Sequence, residues 1–108
     1  MISYDDFKKL DIKIGKIVEA EKIEGSEKLV KLMIDLGEGE LRQIVAGIAL
    51  AYPNAADLVG KHVPVLCNLE PKELMGYTSN GMILATDNQG SPVLLRPDQQ
   101  VPPGSTVK

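Results

Sequence analysis

Between Asp11 and Ala46 the apolar residues recur at every second position, and this alternation limits the possible folds more than any other feature. Val30, Leu32, Ile34 and Leu36 alternate with Lys31, Met33 and Asp35, the period of a strand with one face buried and the other wet. On a helix the same spacing would scatter the four residues over opposite sides. The preceding segment keeps the period but slips phase. Ile12 and Ile14 share one face, Ile17 lies on the other across Gly15, and Val18 and Ala20 return to the first. A slip beside a glycine predicts a bulge or sharp bend in a long, coiled first strand, the device by which small barrels turn corners.

Turn and cap residues divide the rest of the chain. Ser3-Tyr4-Asp5-Asp6 places a hydroxyl three residues before a carboxylate, predicting a short helix over residues 4–9 that Ser3 caps. Glu24-Gly25-Ser26-Glu27 reads as a turn, and Gly37-Glu38-Gly39 closes a hairpin into a third strand over 41–46. Asn54 is placed to cap a one- or two-turn helix over 54–58. A fourth strand follows at 62–67, where Pro64 lacks a donor and suggests an edge or a bulge. A fifth covers 82–86, then Asn88-Gln89-Gly90-Ser91 turns the chain into Val93-Leu94-Leu95, and Pro97, Pro102 and Pro103 keep the tail extended. Five short strands, with a helical insertion between the third and fourth, match the all-β OB-fold, a partly open five-stranded Greek-key barrel. A different small barrel or a sandwich is also compatible with the pattern.

Composition narrows the chemistry. The 108 residues suit one domain with a single core, and 44% apolar content marks it as globular. Cys67 and His62 are the only residues of their kinds, so neither a disulfide nor a cysteine/histidine zinc site can be assembled within the chain. His62 has no carboxylate at an informative spacing, Cys67 lies on an apolar strand, Asp5-Asp6 is explained by capping, and Gly37-Glu38-Gly39 lacks the context of a phosphate cradle. We therefore expect no enzyme, no metal and no cofactor. Met1-Ile2-Ser3-Tyr4-Asp5-Asp6 is acidic where a secretory signal is basic, and no apolar run reaches the ~20 residues of a membrane helix, so a cytoplasmic protein is expected. The net charge of −3 argues against a sequence-independent nucleic-acid coat.

OB barrels usually bind oligomers across strands 2 and 3, between the loop joining strands 1 and 2 and that joining strands 4 and 5. Here those loops are residues 23–28 and 69–81. Residues 29–46 contain no aromatic side chain; Tyr4, Phe7, Tyr52 and Tyr77 all fall outside them. Base stacking on a strand platform is therefore not expected, and any nucleic acid must be held by its backbone and shape. The stretch 68–85 is the least ordinary of the chain, carrying Asn68, Lys72, a glycine-bracketed polar turn, Met75 and Met82. It either carries function or plugs one end of the barrel.

Several stretches carry a closer resemblance: Asp6-Phe7-Lys8-Lys9-Leu10-Asp11-Ile12-Lys13-Ile14-Gly15-Lys16-Ile17-Val18, Glu27-Lys28-Leu29, Val45-Ala46-Gly47-Ile48, Val59-Gly60-Lys61 and the whole of 68–85. In these, in order and across nearly the whole chain, the sequence resembles the tRNA-binding domain family. That family includes small free-standing tRNA-binding proteins and the C-terminal domain or beta subunit of methionyl-tRNA synthetases. The resemblance implies an OB barrel over residues 1–108 that recognises the folded shape of tRNA and catalyses nothing. It carries RNA contacts onto Ser79 and Met82, and suggests Asn68, Lys72, Lys28 and Arg42 beside them. Lys13 and Lys16 are candidate phosphate contacts, although each, like Arg42, is equally well explained as solvated charge. Replacing Ser79 and Met82 together by Ala is then expected to weaken tRNA binding and leave the melting temperature nearly unchanged.

The chain departs from the family pattern at Ile23-Glu24-Gly25-Ser26-Glu27 and at Lys72-Glu73, and both departures remove positive or polar contact potential. Free-standing relatives of this length are homodimers, so the resemblance implies a two-fold dimer using the N-terminal helix and the tail from about Arg96. A methionyl-tRNA synthetase is the implied partner, served in trans. The alternative from another class is a protein-binding dimer resembling secretion-related chaperones of the same fold.

Overall fold

The computed structural model describes all of Met1–Lys108. Helix α1 (Tyr4–Lys8) begins on a complete capping box: Ser3 Oγ accepts the Asp6 N–H, and the Asp6 carboxylate accepts the Ser3 N–H. Five residues cannot hold a helix alone. The chain at its C-terminal end is clamped instead by Asn68, whose amide donates to Lys9 O at 2.7 Å and accepts from Asp11 N–H at 2.9 Å.

The barrel is built from β1 (Ile12–Lys22), β2 (Val30–Asp35), β3 (Arg42–Ala46), β4 (His62–Leu66) and β7 (Met82–Ile83). Between β4 and β7 lie β5 (Lys72–Leu74) and β6 (Tyr77–Ser79); β8 (Ala85–Asn88), β9 (Ser91–Leu94) and β10 (Ser105–Thr106) follow. The barrel strands run antiparallel in the order β3-β2-β1-β4-β7, with β10 added to β1. A short 3-10 helix, Ala55–Leu58, joins β3 to β4; Asn54 Oδ1 caps it through Ala56 N–H, and its Leu58 is fully buried. The expected OB barrel, short N-terminal helix and helical insertion are all present. Ile17, Val30, Leu32, Ile34, Ile44, Leu58 and Val65 form the centre of the core, each with no measurable exposure.

Four details differ from expectation. The irregularity in β1 lies at Val18, not beside Gly15: Ile17 pairs with Ile34, and the next partners are Glu19 and Met33. Gly15 serves a different purpose. A Cβ there would lie 2.5 Å from Ile34 Cγ2 and 2.9 Å from Leu36 Cδ2, so its bare backbone lets β1 press into the core. Ile12 and Ile14 are buried outside that core cluster, along the stretch of β1 that receives the C-terminal segment; Gly104 N–H donates to Ile14 O and Val107 N–H to Ile12 O.

Pro64 is on neither an edge nor a bulge, because β4 lies between β1 and β7. Its carbonyl accepts Leu84 N–H at 3.0 Å, so its missing donor faces β7, and the β4–β7 ladder ends there after two pairs. The expected fifth strand is therefore split at Leu84 into β7 and β8. The tail is not merely extended: β10 pairs Lys13 with Thr106 and Ile14 with Ser105.

Candidate functional site

A barrel whose last ladder is two pairs long is left with a seam between β3 and β7, and the residues that close it dominate the region singled out in the sequence. Ser79 is buried, and its Oγ accepts Val45 N–H at 2.9 Å while donating to Gly81 O at 3.0 Å. Asn80 N–H donates to Gln43 O and the Gln43 amide to Thr78 O. A Cβ on Gly81 would lie 2.9 Å from Leu66 O, so only glycine passes that point without displacing β4. Arg42 spans the same seam. Its guanidinium donates to Cys67 O at 2.6 Å and Asn80 O at 3.3 Å, and pairs with Glu38 at 2.7 Å.

Above the seam, residues 69–81 form a structure that sequence periodicity did not reveal. β5 and β6 pair as a hairpin, Lys72 with Ser79, Glu73 with Thr78 and Leu74 with Tyr77. Met75 at φ +52° and Gly76 at φ +82° make the two-residue turn, of the kind that needs two left-handed residues. The Thr78 hydroxyl donates to the Glu73 carboxylate on one face. On the other face lie Lys72, Leu74, Tyr77 and Ser79, and Tyr77 reaches β2, where its ring centroid sits 5.3 Å from Lys31 Nζ. An aromatic side chain thus does stand beside the strand 2–3 surface, delivered by the hairpin instead of by the strands. The Met75 methyl lies 3.5 Å from where a Cβ of Gly25 would be, which brings loop 23–28 against the hairpin tip.

Around this hairpin is a groove of about 460 Å³, lined mainly by apolar groups of β3, the hairpin and β7. Lys72, Ser79 and Met82 all border it, and Met82 and Met75 are exposed while Ser79 lies beneath. Lys28 is exposed in the facing loop, with no ion pair; its carbonyl accepts Ala49 N–H. The structure therefore gathers Lys72, Ser79 and Met82 around one groove. Asn68 and Arg42 are held in internal hydrogen bonds, Lys13 approaches Asp11 at 3.9 Å, and Lys16 faces a different groove. Met75, noted in the sequence as part of an unusual loop, sits at the hairpin turn, whereas Tyr77 and Lys31 were not candidates in the sequence; the only advance signal for Tyr77 was a methionine-glycine step between two short polar-apolar runs.

Electrostatic shifts are few. The hydrogen bond from Lys31 to Glu21, 2.7 Å long, pushes the lysine above its ordinary value. Burial pushes the Cys67 thiol up, keeping it protonated and a poor nucleophile at neutral pH.

Fold and loops together define an OB-type barrel with a groove beside the 72–79 hairpin. The family model of the putative tRNA binding domain matches residues 12–106, and the chain belongs to that family. It is 49% identical over 108 residues to a methionine-tRNA ligase of Methanothrix thermoacetophila, covering all of this chain but only 16% of that protein. The crystal structure of a MetRS related protein from Pyrococcus horikoshii superimposes with a TM-score of 0.92 at 37% identity, covering 100% of this chain and 98% of that one. The chaperone CsaA of Bacillus anthracis superimposes at 0.88 with 32% identity, covering 100% and 99%.

Proposed function

We propose that this chain is a non-catalytic, structure-specific tRNA-binding module that works in the cytoplasm as a homodimer, alone or in trans with methionyl-tRNA synthetase. The observation that carries the reading is the contact of loop 23–28 with the 72–79 hairpin, which itself borders an apolar groove, on a chain of the putative tRNA binding domain family. Lys28 and Lys72 supply phosphate contacts, and Met82 and Met75 supply adaptable apolar contact against ribose or an unpaired base. Ser79, Arg42 and Asn68 act one step back, holding the loop in the shape that presents those groups. No strand-borne stacking row exists on β2 and β3, which favours a folded RNA over an unstructured strand.

The dimer is supported by α1, which buries no residue of its own yet exposes Ile2 and Tyr4 nearby, and by exposed Val107 at the end of the tail, outside the groove that Arg96 borders. Bringing tRNA to a synthetase through linked binding raises its local concentration without new chemistry.

A second reading, a protein-binding chaperone, is favoured by the likeness to CsaA and by the apolar lining of the same groove. A shift assay with mixed tRNA at low and moderate salt separates the two. Binding that weakens modestly with salt supports the module; an intact dimer that binds no tRNA at low salt but holds an unfolded polypeptide overturns it.

A further inference from the structure

A second groove, of about 620 Å³, lies where β1 and β4 meet the tail, and it shares no residue with the hairpin groove. Its floor is a strand pair: Lys16 on β1 stands directly opposite His62 on β4, and Lys61 precedes His62. Because Gly15 and Ile17 point into the core, Lys16 points outward. Arg96 and Asp98 come from the tail on the far wall. Three cations outside any ion pair and an imidazole therefore surround one concavity, with Asp98 in its lining and Asp35 opposite Lys16 on the neighbouring strand β2, on a chain whose total charge is −3. The chain's ion pairs engage Lys9, Lys13, Lys31 and Arg42, and none engages Lys16, Lys61 or Arg96.

The groove is also rigid. Ile17 N–H donates to Lys61 O at 2.9 Å and Gly60 N–H to Ile17 O at 2.8 Å, which fixes the floor. On the opposite wall Leu94 packs against the core and donates its N–H to Tyr52 Oη at 3.1 Å. Like charges held together on a fixed surface repel one another until an anion intervenes.

We infer that this is a phosphate-binding groove, and that in the tRNA-binding reading it carries the RNA backbone away from the hairpin site. Cations from three separate segments, spread around an open concavity, suit phosphates in a row better than a single compact anion. No nucleobase recognition is involved. Asp98 opposes the ligand and limits its affinity.

The inference rests on the tRNA reading, and its test separates the two. Lys16→Ala, Lys61→Ala and Arg96→Ala are combined and compared with a control of equal charge change at exposed positions outside both grooves, Lys22→Ala, Asn88→Asp and Gln89→Glu. Mixed-tRNA affinity is measured between about 50 and 200 mM salt. The expected result is that the slope of log affinity against log salt falls by about 2 to 3 in the groove variant, roughly one per phosphate contact, and stays unchanged in the control. Asp98→Asn should tighten binding, a change that loss of folding cannot imitate. An unchanged slope in the groove variant, or an equal loss in the control, overturns the inference while leaving the tRNA reading intact. If the unmodified protein binds no tRNA at low salt, the tRNA reading fails and inorganic tripolyphosphate decides the groove. Amide shifts at Gly60, Lys61 and His62 that vanish in the groove variant uphold a phosphate site for a free polyanion; no shift overturns it.

Discussion

At Ser79 the residue type that carries the family resemblance turns out to sit inside the structure. Its hydroxyl satisfies the Val45 N–H and the Gly81 carbonyl, so Ser79→Ala leaves a buried donor and acceptor without partners. That costs about 1 to 2 kcal/mol, and the melting temperature should fall by about 5 to 15 °C, measurable by calorimetry. With Ser79 buried, thermal silence is expected of Met82→Ala alone and no longer of the Ser79 and Met82 pair. Met82 is exposed, so Met82→Ala should change stability by no more than about 0.5 kcal/mol while weakening tRNA binding in a titration. Asp6 gives a test by pH. The Ser3 backbone N–H, then Lys9 and the Ser3 hydroxyl, hold its carboxyl below the ordinary value. A depressed acid stabilises the fold above its unfolded pKa and loses that contribution as pH falls through its folded one. The Ser3 and Asp6 amide resonances should therefore stay fixed down to about pH 4 and move below it. Residue type alone could announce the capping box, because all its contacts are local. It could not announce that Arg42 and Asn68 would be spent on carbonyls and amides 25 to 59 residues away.

Among the elements, β2 and the capped helices were legible because alternation and caps are local signals. The 72–79 hairpin was not, since each strand is only three residues long and its turn places a methionine at positive φ, where sequence rules expect asparagine or glycine. β10 was invisible for a similar reason: two residues following a Pro-Pro-Gly step carry no period. In β1 the phase slip was read correctly as a change of face but assigned to the wrong residue, because a bulge and a close approach both recruit small side chains. Gly15→Ala separates these roles. If Gly15 marked a bulge, alanine would be tolerated; with Ile34 and Leu36 in the way it should cost about 1 to 3 kcal/mol, read from the midpoint of urea unfolding.

For the whole molecule, the barrel was legible because five short strands, a helical insertion and bend-forming residues permit few closures. The seam was not, since closing it by a serine hydroxyl, a glycine and an arginine leaves no periodic trace. The seam also explains how an acidic domain can keep its cations for a ligand: of the positive groups near the hairpin, Arg42 and Lys31 are neutralised by Glu38 and Glu21, whereas Lys28 and Lys72 are left free. Assembly is tested by light scattering, where the proposed dimer should have twice the 11.7 kDa mass of one chain. The central claim, recognition of folded tRNA by shape, is tested most directly by competition between native tRNA and an unstructured single-stranded RNA of equal length at moderate salt. Native tRNA should displace the single strand at well below equal concentration; equal competition, or preference for the single strand, would contradict the account.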